Sequence, residues 1–196
     1  MSTRCVLMRF TSPAPTSAMK TEDMHVSPVS LLYVYGHAFV QVDGLWNIAD
    51  CVERAFDLEQ MSVGSVGGGR IGQAVLRRLK AFDCNLHYAD RHRLPHDVES
   101  SLGLTYHSNV ESLVKECAVI TINCLLHSET EYLFNKDMIS KLKRGTYLVN
   151  TARGKICDAD AVADAVRSGQ LAGYAGDVWF PQPAPKDHPW RRYELS

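Results

Sequence analysis

"SVGSVGGGRIGQAVLRRLKAF", residues Ser62 to Phe82, is the stretch on which the fold turns. Its first six residues, small and apolar, read as a short buried strand. From Arg70 the pattern changes to that of a helix, with Ile71, Val75, Leu79 and Phe82 along one face. Between the two, Gly67, Gly69 and Gly72 fill the three glycine positions of GxGxxG. The first permits a tight turn, the second lets backbone approach a pyrophosphate, and the third lets helix pack on strand. The helix start adds free N–H groups and a partial positive charge for any phosphate placed there. Glycine triplets also occur in plain turns, so the surrounding pattern has to carry the reading.

Outward from the glycines, "NLHYAD" (85–90) reads as a second strand that ends on Asp90, eighteen residues past Gly72. A carboxylate there accepts both hydroxyls of an adenosine ribose and repels a 2′-phosphate, which favours NAD over NADP. Arg91, next to it, is compatible with some NADP. A surface aspartate starting a turn is the plainer reading of Asp90. It loses ground once strand, glycines, helix, strand and acid follow in order.

Further on, "NVESLVKEC" (109–117), "NKDMISKLK" (135–143) and "DADAVADAVRSGQ" (158–170) read as helices. The last has an acidic first turn that suits the positive end of its dipole. "AVITINCLL" (118–126), "GTYLVNTA" (145–152) and "LAGYAGDVW" (171–179) read as strands. Apolar strands alternating with helices imply an α/β fold, a doubly wound parallel sheet of the Rossmann type that binds NAD.

Composition sets the outer limits. With 45% hydrophobic and 22% charged residues over 196, the chain is an ordinary globular one, large enough for one good core. A net charge of −1 with interspersed signs gives no footprint for nucleic acid or an anionic membrane. No apolar run approaches the roughly 20 residues of a membrane helix. Six cysteines (Cys5, Cys51, Cys84, Cys117, Cys124, Cys157) lie far apart without a CxxC pair, which points to free thiols in a reducing compartment. The cytoplasm fits. A mitochondrial location is the alternative, since the first twenty residues carry Arg4, Arg9 and Lys20 and no acid. His87, His92, His96 and His107 match no metal-ligand spacing and read as solvated loop histidines, so no metal is expected.

Residues 1–45 read as an irregular extension or as the remnant of a substrate domain. They include the apolar "VSLLYVYGHAFVQVDG" (29–44), whose register is ambiguous between strand and helix, and a nucleotide domain is expected over 46–196.

Five segments carry a family resemblance: "WNIADC" (46–51), "GGGRIGQAVLRRL" (67–79), "LHYADRHRLP" (86–95), "LVNTARGKICD" (148–158) and "GYAGDVWFPQPAPKDHPWR" (173–191). From Trp46 to about Arg191 the chain resembles the cofactor domain of NAD-dependent formate dehydrogenases, within the D-specific 2-hydroxyacid dehydrogenases. The resemblance implies oxidation of formate to carbon dioxide with NAD, by a homodimer. It implies that Arg70 and Ile71 touch the pyrophosphate and Asp90 the ribose. Thr151 and Ala152 would line the nicotinamide pocket, and Asp177 would accept a hydrogen bond from the carboxamide. Arg153 would hold the substrate carboxylate, a task its bidentate fork suits. His127 and Glu129 match a segment that lies against the cofactor. Leu125 stands where the family usually has proline, a departure expected to loosen the loop over the cofactor.

Formate has no hydroxyl, so its oxidation needs no base to take a proton; positioning and electrostatics suffice. Related 2-hydroxyacid dehydrogenases pair a histidine with a glutamate, and formate dehydrogenases place a glutamine there. Gln182 matches that glutamine, held by Pro181, Pro183 and Pro185, which fix backbone angles. The family's histidine lies in a downstream "PHxSG" segment that this sequence does not contain. His188 matches another, non-catalytic position. The family's formate-binding asparagine, expected before Trp46, is not found either. The expectation is therefore of a formate dehydrogenase sequence cut at both ends, with weak or no turnover. A 2-hydroxyacid dehydrogenase and a non-catalytic NAD-binding fragment stay open beside it.

Overall fold

β1 (Ser62–Val66) is buried from Val63 onward and runs directly into Gly67. The computed structural model describes residues 58–191. After β1 come α1 (Arg70–Leu79), β2 (Asn85–Ala89), α2 (His96–Leu102), β3 (Leu104–His107), α3 (Val110–Glu116) and β4 (Val119–Ile122). Then follow α4 (Lys136–Ser140), β5 (Thr146–Asn150), α5 (Ala159–Arg167) and β6 (Leu171–Gly176). Short 3-10 turns lie at Lys80–Phe82, Gly154–Ile156 and Pro189–Arg191. The expected boundary at Trp46, the segment 29–44 and "WNIADC" fall outside the described residues.

All five strand pairings are parallel, in the order β3-β2-β1-β4-β5-β6. The chain moves outward from β1 to β3, then returns to lay β4 on the other side of β1. Crossovers of one hand that run in opposite directions put their helices on opposite faces, so the sheet is doubly wound. The expected fold class is the observed one.

Two apolar clusters fill the layers. Leu76 of α1 packs with Val63, Leu86 and Tyr88. A larger cluster gathers Leu113 and Val114 of α3, Ile120 and Ile122 of β4, Phe134, Leu148, Val162 and Val166 of α5, Leu171, Tyr174 and Trp190.

The structure corrects three readings. The inward face of α1 is Gly72, Leu76 and Leu79; of the expected Ile71, Val75, Leu79 and Phe82, only Leu79 belongs to it. Gly72 is pressed against Gly67 and sets the helix rotation, which turns Ile71 outward to 67% exposure. Phe82 lies past the helix end, in the 3-10 turn, and is 39% exposed. Second, α2 and β3 were not read from sequence. They are seven and four residues long, and of α2 only Glu99 and Leu102 are buried, which leaves too little apolar period to detect. Glu99 is buried because the Arg93 guanidinium and the Tyr88 hydroxyl both donate to it.

Third, His87 and His107 are not loop histidines. They sit on the neighbouring strands β2 and β3, part-buried, with His87 Nδ1 3.0 Å from His107 Nε2. Successive strand residues alternate faces, so His87 points away from the layer that Leu86 and Tyr88 fill. Among the described cysteines, Cys117 and Cys157 are buried and Cys84 and Cys124 half-buried; Cys117, Cys124 and Cys157 are free thiols. Burial pushes the Cys117 and Cys157 thiols up to about 12, which leaves them protonated and inert.

Candidate functional site

Because every strand runs the same way, the residues just past each strand end come together on one edge of the sheet. These are Gly67, Asp90, Asn123 to Leu126, Thr151 to Arg153, and Asp177. The strand order reverses between β1 and β4, and the crevice outside that switch point is where open α/β sheets bind ligands.

Gly67 turns the chain with φ +105, a backbone conformation that side chains resist, and a Cβ there would lie 2.9 Å from the Asn123 carbonyl. The turn is braced from beneath: Ser65 Oγ donates to the Gly67 carbonyl at 2.7 Å, and Asn123 Nδ2 donates to Ser65 Oγ at 3.0 Å. Gln73 Nε2 holds the Gly68 carbonyl at 2.8 Å. A Cβ at Gly69 would meet nothing within 4 Å, so the backbone there faces open space. The start of α1 has no side-chain cap and no acid in its first turn. By contrast α3, α4 and α5 are capped by Asn109, Asn135 and Asp158. Uncapped first-turn N–H groups facing open space fit the pyrophosphate of a dinucleotide. Arg70 and Ile71, both exposed, stand at that edge.

Asp90 lies beside the cradle and fastens it. Its Oδ2 accepts from the Gly68 N–H at 2.7 Å and its Oδ1 from the His92 N–H at 3.0 Å. An ionised carboxylate has about four acceptor sites, so capacity remains for ribose hydroxyls. From the loop after β4, Glu129 Oε2 reaches to 3.6 Å from Arg91 Nη1 and 4.0 Å from His127 Nδ1. These groups bracket the crevice from the β2 and β4 sides of β1. Leu125, where the resemblance departs from proline, is 79% exposed. Its loop is nonetheless fastened, since Thr130 Oγ1 donates to the Leu125 carbonyl at 2.6 Å and accepts from the His127 N–H at 2.9 Å.

At the β5 end, Asn150 is fully buried and shapes the turn that follows. Its Oδ1 accepts from the Ala152 N–H at 3.1 Å and its Nδ2 donates to the Arg153 carbonyl at 3.0 Å. Thr151 and Arg153 are left exposed with Ala152 half-buried. Arg153 Nη1 donates to the Ala152 carbonyl at 2.6 Å, so the guanidinium folds back over its own turn. Asp177 is exposed just past β6. Gln182 is exposed on the proline loop, between cis peptide bonds that enter Pro181 and Pro183. The Arg153 turn and this loop meet through backbone: a Cβ on Gly154 would lie 2.6 Å from the Trp179 carbonyl carbon. Lys155 Nζ sits 4.5 Å from the Phe180 ring centre.

Several of these residues were missed in the sequence. Ser65, Gln73 and Asn123 brace the glycine turn, and Asn150 the Arg153 turn. The available signal was a polar residue at the end of an apolar strand, as in "TYLVN" and "VITIN". Cys124, half-buried at the same edge, has its thiol pushed up to about 11 by burial.

Residues 34–195 match the model of the D-isomer specific 2-hydroxyacid dehydrogenase NAD-binding domain, so the matched stretch begins upstream of Trp46. Formate dehydrogenase of Pseudomonas sp. (strain 101) is 62% identical over 159 residues, which cover 81% of this chain and 39% of that protein. Among solved structures, a Granulicella formate dehydrogenase is 56% identical with a TM-score of 0.79, over 83% of this chain and 43% of that one. The NAD complex of the Staphylococcus aureus NAD-dependent formate dehydrogenase is 42% identical with a TM-score of 0.74, over 84% and 49%. The chain spans less than half the length of each of these relatives. On the extent of that match, the chain belongs to the D-isomer specific 2-hydroxyacid dehydrogenase family, and the part it shares is the family's NAD-binding domain.

Proposed function

We propose that this domain binds NAD in the crevice above β1 and β4 and that its protein oxidises formate to carbon dioxide. The observation that carries the reading is the backbone contact of Gly154 with Trp179 and Phe180, which joins the Arg153 turn to the Gln182 loop. An anion-holding guanidinium and a neutral amide then belong to one end of the cleft, while the uncapped start of α1 and Asp90 belong to the other. NAD held there would supply the hydride acceptor.

Each residue has a task in that reading. The start of α1 holds the pyrophosphate through its N–H groups, with Arg70 and Ile71 at the rim. Asp90 takes the ribose hydroxyls. Arg91, Leu125, His127 and Glu129 flank the adenosine end, and Thr151, Ala152 and Asp177 the nicotinamide end. Arg153 releases the Ala152 carbonyl and pairs with the formate carboxylate, orienting its C–H bond. As that bond breaks, its electron pair leaves with the hydrogen and the carbon is left as carbon dioxide. No hydroxyl proton has to be removed, which suits an amide at Gln182 better than an acid.

A 2-hydroxyacid substrate is the second reading, favoured by the family match. Purified chain given NAD and formate tests the first, and D-lactate or D-glycerate the second. NADH formation on formate that Arg153→Ala abolishes supports the proposal. Formation only on a hydroxyacid transfers it to the second reading. NAD binding with no turnover on either reduces it to the cofactor half.

A homodimer is proposed from the family resemblance. Among the described residues no helix is long and apolar enough to cross a membrane. The free thiols suit the cytoplasm first, with the mitochondrion as alternative.

A further inference from the structure

Within the loop from Phe180 to Pro189 the His188 N–H donates to the Pro185 carbonyl at 3.2 Å. Four of its ten residues are proline and supply no N–H, so the loop is poor in main-chain donors. Phe180, Pro181, Gln182 and Pro183 are all exposed, and so are Pro185 to Asp187. His188, by contrast, is only 3% exposed. Its Nε2 lies 3.0 Å from the Phe180 carbonyl, and its Nδ1 accepts from the Trp190 N–H at 3.2 Å. The ring sits against Trp179 at 4.9 Å and against Trp190 at 5.0 Å.

We infer that His188 is the positioning residue of the Gln182 loop, closing its neck through the Phe180 carbonyl. The inference rests on the reading of Gln182 as a substrate-side residue. A carbonyl only accepts and an amide N–H only donates. The imidazole therefore carries its proton on Nε2 and offers a lone pair at Nδ1. With both nitrogens committed and the ring buried, His188 has nothing left to give a substrate.

The clamp is tied to the rigid part of the domain. Trp190, 2% exposed, donates its Nε1 proton to the Ala159 carbonyl at the start of α5, at 3.1 Å. Its ring lies 4.7 Å from that of Tyr174 on β6. A continuous path thus runs from α5 and β6 through Trp190 and His188 to Phe180, two residues before Gln182. From the other side Gly154 admits the Trp179–Phe180 peptide at a distance that no side chain allows.

The test uses the full chain with His188→Ala, His188→Gln and His188→Asn. Azide, isoelectronic with carbon dioxide, is titrated into the NAD complex, and NAD itself is titrated separately by tryptophan fluorescence. His188→Ala is expected to weaken azide binding about tenfold, the loss of one buried hydrogen bond, while NAD affinity moves less than about twofold. His188→Gln, whose amide can still donate to the Phe180 carbonyl, is expected to recover most of the azide affinity. His188→Asn, too short to reach, is expected not to. Trypsin cleavage after Lys186 should quicken in His188→Ala and His188→Asn only.

Two further results bear on the wild-type chain, so a variant that fails to fold does not end the test. Imidazole nitrogen NMR should show His188 protonated on Nε2 and bare on Nδ1; the opposite tautomer overturns the clamp. Unchanged azide affinity and unchanged Lys186 cleavage in His188→Ala also overturn it, as does a parallel loss of NAD binding, which would mark a general structural role. If wild-type chain binds NAD but not azide, the formate reading fails, and the tautomer and cleavage arms decide the clamp alone.

Discussion

Gly154 lies against Phe180 so closely that a Cβ on the glycine would stand 2.8 Å from the phenylalanine's amide nitrogen. So close an approach is possible only because the glycine carries no side chain. The first prediction follows. Gly154→Ala should force the proline loop off the Arg153 turn and cost about 1–3 kcal/mol of stability through overpacking. Azide affinity in the NAD complex should fall more than NAD affinity. Urea unfolding and paired titrations check this; a variant as stable as the parent, with both affinities unchanged, would show that the contact is not restrictive.

Asp90 serves the cradle before any cofactor arrives, because Gly68 and His92 both donate to it. Asp90→Ala should weaken NAD binding at least tenfold, since charge-assisted hydrogen bonds contribute about 1.5–3 kcal/mol each. Asp90→Asn, which keeps one acceptor oxygen but loses the charge, should fall between alanine and the parent. Fluorescence titration with NAD gives the order. Equal affinities across the three would remove Asp90 from the site.

Asn150 is the equivalent brace at the other end of the cleft. In Asn150→Ala the part-buried Ala152 N–H and Arg153 carbonyl lose their partner, at up to about 1 kcal/mol each because water can reach them. The Arg153 turn should loosen, so azide binding weakens along with the unfolding midpoint. Asn150→Asp keeps the acceptor for Ala152 but not the donor for Arg153, and should recover only part of the loss.

Acid should destabilise the domain in two steps. The His87 and His107 imidazoles are held below their ordinary value of 6.5, first by burial. For His87 the neighbouring His107 and Lys143 lower it further, against Glu116. Between 6.5 and the lower folded values the unfolded chain binds more protons, so stability is full above 6.5 and is lost as pH falls. Glu99 is held below its ordinary 4.5 by hydrogen bonds from Arg93 and then Tyr88, which adds a second loss of the same sign below that value. Urea midpoints taken from about pH 7.5 down to about pH 2 should trace both steps. His107→Gln should flatten the upper step and leave the lower one; an unaltered upper step would mean that the pair does not control it.

How much of this was legible differs by residue. The glycines at 67, 69 and 72 and the acid at 90 could be read directly, because a tight turn, a close backbone approach and a ribose each demand one residue type at one spacing. The alternation of apolar runs with helices gave the parallel sheet for the same reason, since strands covered on both faces have few polar positions to spare. The inward face of α1 could not be read. Ile71 and Leu76 are equally apolar, and only the packing of Gly72 onto Gly67 decides which of them turns toward the sheet. His87 and His107 stand twenty residues apart in sequence and meet only because β2 and β3 are neighbours.

What the sequence determined by itself was the set of local demands: where the chain must turn, where it must run buried, and where a phosphate finds unfilled N–H groups. What only the tertiary structure decided was which distant groups share a partner. Ser65 with Asn123, Asp90 with Gly68, and Gly154 with Phe180 are each joined by backbone geometry rather than by spacing along the chain. Hydrogen bonds and steric contacts act over a few ångströms, and a strand order of 3-2-1-4-5-6 sets those few ångströms between residues that the sequence keeps far apart.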